Sequence, residues 1–161
     1  MDRLWSPWRS EYIASAGNAD ASVCVFCKLR DENEHDEQNL VVLRAEHSFI
    51  ALNRYPYTSG HMLIIPNEHI AEFHEVAKQV TDELMDLAKV AQRVLREVYQ
   101  ADGYNLGMNL GGAAGAGIAD HLHLHILPRW SGDTNFMTTV AGARVLPEDL
   151  STTYAKLRRR F

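Results

Sequence analysis

The sequence has no run of about 18 apolar residues, so it holds no candidate membrane span. Its start, Met1 to Trp8, lacks the apolar core of a signal peptide, which makes a cytoplasmic location the expectation. Positive charge is not in excess. Sixteen Lys and Arg stand against 21 Asp and Glu, a formal net charge of −5. That balance argues against a broad nucleic-acid surface or a polybasic membrane surface, so a phosphate-bearing ligand must be held by local groups. No internal repeat and no low-complexity tract is present. Cysteine is limited to Cys24 and Cys27. They are too close in sequence to staple a fold, and in a reducing compartment such a pair binds metal or cycles its redox state.

What is there suits one domain over residues 1–161: an N-terminal extension (1–22), a core (23–130) and a C-terminal segment (131–161). The charge-rich stretch from Arg30 to Asn39 reads as a solvated loop. Leu40–Leu43 and Phe49–Leu52 read as a strand pair, and His61–Ile65 as a strand stopped by Pro66. Thr81 is placed to cap a helix with Asp82 and Glu83 in its first turn, and Leu84, Leu87, Ala91, Val94, Leu95 and Val98 give it one apolar face. Asp102-Gly103 ends it. Tyr104–Leu110 and His121–Leu127 read as strands, the second stopped by Pro128. Pro147 and Glu148 open a last, basic helix. Strands, a long helix, then strands again predict an α+β fold with a mainly antiparallel sheet.

The chemistry lies in His121, His123 and His125, which alternate with Leu122, Leu124 and Ile126. A strand has period two, so the three imidazoles leave one face and the aliphatic side chains the other. A central ring can then attack while a neighbour holds a charged oxygen. Neutral imidazole is a good nucleophile near pH 7 and suits phosphoryl or nucleotidyl transfer through a phosphoramidate. The plain alternative is a buried histidine cluster, which is costly without partners. The small-residue loop Gly111 to Gly117 stands just before the triad. Alone it is an ordinary turn; next to the triad its backbone amides suit a phosphate. It lacks the Lys and Ser/Thr of a P-loop. Cys24-Val25-Phe26-Cys27 has zinc-knuckle spacing and needs two histidines to complete a site. His35, His47, His61, His69, His74 and the triad all compete, and spacing does not choose among them. A redox dithiol or two free buried thiols are the alternatives.

His121-Leu-His123-Leu-His125-Ile-Leu-Pro-Arg129 resembles the signature of the histidine-triad (HIT) family, and Gly60-His61-Met-Leu-Ile-Ile-Pro66 resembles that family's Gly-His strand. The resemblance spans Cys24 to about Arg129. It implies an α+β fold, a homodimer, and an enzyme that cleaves or transfers nucleotidyl groups. It also implies roles: His123 as nucleophile, His125 at the phosphates, Asn53 near the ribose and Asn109 facing the phosphates. A structural zinc on Cys24, Cys27, His69 and His121 is implied in the same way. Hydrolytic members carry Gly-Gln-Ser/Thr before the triad, whereas this chain has Ala114-Gly115-Ala116-Gly117-Ile118. Leu4-Trp5-Ser-Pro7-Trp8-Arg9 and Pro128-Arg129-Trp130-Ser-Gly132-Asp133-Thr-Asn135-Phe136 look like a bacterial diadenosine-tetraphosphate phosphorylase branch, in which inorganic phosphate replaces water.

The expected reaction is attack of His123 on a dinucleoside polyphosphate, with His125 and the amides of Gly115, Ala116 and Gly117 steadying the charge. Phosphate or water then releases the nucleotide. A hydrolase using water, a low-turnover nucleotide-binding module, and a zinc-stabilised interaction or redox protein are the competing classes. Trp5, Trp8, Trp130, Tyr55 and Tyr57 read either as stacking or dimer contacts or as partly buried aromatics. Arg158–Arg160 reads as a solvated helix end.

Overall fold

The computed structural model describes residues 23–134, 136–141 and 146–161. Trp5, Trp8 and Asn135 lie outside the described residues. Five strands form one sheet: β1 (Val41–Arg44), β2 (Ser48–Leu52), β3 (Met62–Pro66), β4 (Gly103–Gly107) and β5 (Leu124–Arg129). Their order is β1-β2-β3-β5-β4 and every pairing is antiparallel. Helix α1 (Val25–Asp31) precedes the sheet, α2 (Lys78–Tyr99) links β3 to β4, and α3 (Phe136–Ala141) and α4 (Leu150–Arg158) follow β5. The α+β class with a mainly antiparallel sheet is the one expected.

Alternation along the strands divides the molecule into two faces. Val42, Ile50, Leu52, Met62, Ile64, Leu124 and Ile126 point to a large core under α2 and α4. Helix α2 meets them with Val80, Leu84, Leu87, Ala88, Ala91, Val94 and Leu95, the spacing of one helical face. Val41, Phe49, Ala51, Leu63 and Ile65 point the other way, to a smaller core closed by Phe26 of α1. Because β2 and β3 are buried on both faces, they read as unbroken apolar runs.

The boundaries differ from the sequence reading at several places. Helix α2 starts at Lys78, three residues before Thr81, whose Oγ1 donates to the Lys78 carbonyl instead of capping. The early start brings Val80 into the core. The helix ends at Tyr99 with Gln100 in the left-handed region (φ 49°), ahead of Asp102-Gly103. Helix α4 is capped by Asp149, which accepts from the Thr152 N–H, and Glu148 is drawn off to Tyr99, Thr153 and Lys156. The 30–39 stretch is not wholly a loop, since α1 runs to Asp31 and a 3-10 turn covers Asn33–His35.

Strand β4 ends at Gly107, short of Leu110, and β5 starts at Leu124 and runs through Pro128 to Arg129. Pro66 and Pro128 sit inside strand ends, not beyond them. The β3–β5 ladder covers only Met62–Ile64 and Leu124–Ile126, so each proline lies where its strand has one partner and needs no second donor. The turn before β3 places Gly60 at φ +80°, where an added Cβ would lie 2.9 Å from Leu95 and Tyr99 side-chain atoms.

Candidate active site

The triad straddles the start of β5. His125 is within the ladder, opposite Leu63 of β3 and Gly107 of β4. His121 and His123 precede it, yet the alternation continues, because Leu122 joins the core on the helix side and its N–H donates to the Ile70 carbonyl at 2.7 Å. All three rings therefore share the face of Phe26 and Leu63, and each meets a different environment.

His121 faces α1. One donor atom from each of Cys24, Cys27, His69 and His121 falls within 4.8 Å of the others. Cys24 Sγ lies 3.3 Å and Cys27 Sγ 3.7 Å from His121 Nδ1, while His69 Nδ1 is 3.4 Å from Cys27 Sγ and 3.3 Å from His121 Nδ1. Donors around a tetrahedral zinc stand about 3.3–3.8 Å apart, given bonds of about 2.0–2.3 Å. Four of the six donor separations lie in that range and the other two within 4.8 Å, and two thiols with two imidazoles are a donor set that suits a tetrahedral ion of borderline softness. His121 Nε2–H donates to the Pro66 carbonyl at 2.9 Å, which leaves Nδ1 with a lone pair for a metal. Burial pulls the pKa of His121 down to about 4, so this ring is neutral. His69 and His121 are the histidines that spacing left open and the resemblance supplied. His61 goes elsewhere, and His47 and His74 pair with Glu46 and Glu72.

His123 keeps 6% of its surface exposed. Its Nδ1–H donates to the His121 carbonyl at 2.9 Å, so the attacking lone pair belongs to Nε2. Phe26 and His125 both pack against the ring, with centroids 5.0 and 4.9 Å away. Burial lowers the pKa of His123, which favours the neutral nucleophile, and the bond to the His121 carbonyl opposes that shift.

At His125 the hydrogen bonds fix the direction of every proton. The Tyr57 backbone N–H donates to His61 Nδ1 at 3.2 Å, so that nitrogen is an acceptor. His61 Nε2 must then carry the hydrogen, and it donates to His125 Nδ1 at 2.9 Å. The remaining nitrogen, His125 Nε2, is therefore an N–H donor. It is buried and has no hydrogen-bond partner. A donor left this way costs about 1–3 kcal/mol unless a ligand takes it. Asn53 supports the relay from behind: its Oδ1 accepts from the Tyr55 N–H at 2.9 Å, and Nδ2 lies 3.3 Å from His61 Nδ1. Burial, then the neighbouring histidines, hold the pKa of His61 down to about 3, and burial followed by His123 holds His125 down to about 4.

A cavity of about 200 Å³ opens beside His125, lined also by Tyr57, Asn105, Leu106, Met108 and Asn109. Asn109 thus reaches the cavity. In the glycine-rich loop, the N–H groups of Gly115 and Ala116 bond back to the carbonyls of Gly112 and Gly111, and Gly117 lies beyond that turn. Trp130 is tied down, its Nε1–H donating to the Tyr99 carbonyl at 3.3 Å. The sequence reading missed His61 as the partner of His125, and it missed Phe26 and Asn105. Only the lateral register of β3 against β5 brings residues 61 and 125 together, and periodicity within one strand does not encode that register.

The chain is similar to known proteins over most of its length. A HIT domain model matches residues 34–132. The chain is 38% identical to an AP-4-A phosphorylase of Mycobacterium tuberculosis, over 95% of this chain and 80% of that relative. It is 28% identical to an adenosine 5'-monophosphoramidase of Saccharomyces cerevisiae, over 77% of this chain and 73% of the yeast protein. A crystal structure of a zinc-bound histidine triad family protein from Mycobacterium smegmatis superposes with a TM-score of 0.69 at 29% identity, covering 85% of this chain and 91% of that one.

Proposed function

The chain belongs to the HIT family as a nucleotide-processing enzyme, and from that premise we propose that it cleaves dinucleoside polyphosphates through a nucleotidyl group carried on His123. The observation that carries this reading is the pair of proton assignments at the triad: a lone pair on His123 Nε2 beside an unpartnered N–H on His125 Nε2. His123 Nε2 attacks the α-phosphorus of a substrate such as diadenosine tetraphosphate. An N–P bond forms, the P–O bond to the rest of the phosphate chain breaks, and that chain leaves as ATP with the electron pair. The proton stays on His123 Nδ1, held by its hydrogen bond to the His121 carbonyl. His125 donates to a phosphate oxygen as negative charge builds, and such a donor is worth about 3–4 kcal/mol in other enzymes. In the second step an oxygen of inorganic phosphate attacks the same phosphorus, the N–P bond breaks, and ADP is released with His123 neutral again.

Phosphate as second nucleophile is supported by the absent Gly-Gln-Ser/Thr and by the phosphorylase among the relatives. Running the reaction with and without inorganic phosphate decides it: ADP appears only with phosphate on this reading, whereas AMP at an equal rate in both points to water. Asn109 is proposed to contact the phosphates and Asn53 to reach the ribose end while it steadies His61. Of the loop amides expected at the phosphates, those of Gly115 and Ala116 are turned back on the loop's own carbonyls, so the Gly117 amide is the one proposed to add a phosphate contact. A zinc ion on Cys24, Cys27, His69 and His121 would hold α1 to the triad strand, and with four protein ligands its role would be structural. One zinc per chain, lost in Cys27→Ser, is the expected metal analysis. We further propose a homodimer, for which β4, the sheet's outer strand with a half-exposed Leu106, offers an edge. A cytoplasmic location is part of the same reading; among the described residues no helix is long and apolar enough to cross a membrane.

A further inference from the structure

The strip of β5 beyond the triad carries a polar device that the reaction above does not use. Side chains alternate, so His125, Leu127 and Arg129 continue the face of the nucleophile, and Asn105 of β4 stands opposite Leu127. Each guanidinium nitrogen of Arg129 is engaged. Its Nε and Nη2 bind the two carboxylate oxygens of Asp133 at 2.5 and 2.8 Å, and its Nη1 donates to Asn105 Oδ1 at 2.8 Å. The guanidinium is neutralised by Asp133, and its fork orients the Asn105 amide. With the oxygen taken, the NH₂ of Asn105 is the end left to act, and Asn105 lines the cavity beside His125.

The surroundings of His123 say which part of a substrate reaches this cavity. The nucleophile's ring packs against Phe26, whose ring also meets His121, and Cys24 packs against the same cluster. The ring's other aromatic neighbour is His125, which lines the cavity. A phosphorus held over His123 Nε2 stands next to His125, so the part of the substrate that extends past His125 enters this cavity. The group with the greatest extent there is the phosphate chain that departs.

We infer that Asn105, oriented by Arg129 and Asp133, binds the departing group and selects substrates whose leaving group is an anionic polyphosphate over those losing a small neutral amine. The inference rests on the covalent reading of His123. Asn105 acts as a specificity-determining contact, and Arg129 as a positioning residue behind it.

Two substrates sharing one nucleotidyl intermediate isolate this contact. Diadenosine tetraphosphate releases ATP, and adenosine 5'-phosphoramidate releases ammonia, so the ratio of their kcat/KM values reads the leaving-group site alone. Asn105→Asp keeps the acceptor toward Arg129 and the side-chain shape, but turns a carboxylate on the phosphates. We expect the ratio to fall by about 100-fold in Asn105→Asp and by about 10-fold in Asn105→Ala. Arg129→Ala is expected to lower the ratio less, and to add little on top of Asn105→Ala, because the two act in one chain. Urea midpoints of all variants check that each is folded. A constant ratio with both substrates still turned over, including an equal loss on both, overturns the inference and leaves the role of His123 standing. A wild-type enzyme that turns over neither substrate overturns both.

Discussion

The two faces of the sheet obey the same period-two rule and are spent on opposite ends. Under α2 and α4, seventeen buried hydrophobic residues among those described form a continuous core. On the opposite face the buried cluster has six members, and beside it stand four histidines linked in a chain, His61 to His125, His125 to His123, and His123 to the His121 carbonyl. The first face gains stability from burial, at about 25 cal/mol per Å² of apolar surface. The second keeps a donor without a partner and a cavity beside it, features that weaken a fold and serve a ligand. What distinguishes the faces is the residue type at alternate positions of two adjacent strands, His61 in the turn before β3 and the triad at β5.

Substitutions on the two faces are expected to separate stability from turnover. The largest effect belongs to His123→Asn, for which steady-state assays are expected to show a loss of about 10³-fold or more in kcat, with a small change in the urea midpoint. Leu84→Ala, wholly on the helix side, is expected to cost about 3 kcal/mol in urea unfolding while kcat/KM on the folded enzyme stays within about threefold. Parallel losses of stability and turnover in both variants would erase the distinction.

A finer cut lies within the histidine face. His61→Asn removes the donor that fixes His125, and kcat is expected to drop by about 10- to 100-fold. Since His61 acts through His125, the double variant with His125→Asn should lose little beyond His125→Asn alone, and additive losses would assign His61 a separate role.

The smallest effect is the pH dependence of stability. His61 and His125 have folded pKa values of about 3 and about 4, below the ordinary 6.5. The unfolded chain therefore binds protons that the folded one refuses. Their stabilising contribution is complete above about pH 6.5 and is lost as the pH falls toward those lower values. Urea titrations at pH 7.5 and 5.5 should differ by about 1 kcal/mol per histidine, and His61→Asn should flatten the slope. Burial also lowers the pKa of His123, so kcat/KM is expected to hold up below pH 6.5 and to decline as His123 itself becomes protonated.

Much of this was legible in the chain because alternation and helical spacing survive folding. The histidine face and the helix-side core follow from spacing alone. The resemblance carried by the triad and Gly-His motifs named His69 and His121 among the competing histidines, and the structure brings both to the cysteine pair. Thr81 misled because a hydroxyl before two acidic residues looks like a cap, whereas packing of Val80 pulled the helix start back to Lys78. The partnership of His61 with His125, 64 residues apart, and the bond from Arg129 to Asn105 depend on how antiparallel strands slide against one another. No periodicity within a strand records that offset.

The central claim is a covalent bond between His123 and a nucleotide. Wild-type enzyme is mixed with diadenosine tetraphosphate without inorganic phosphate, quenched in alkali where phosphoramidates persist, and measured by intact and peptide mass spectrometry. The account predicts one added adenylyl group, mapped to His123 and discharged as ADP when phosphate is supplied. Turnover without any adduct, or an adduct on another residue, contradicts it.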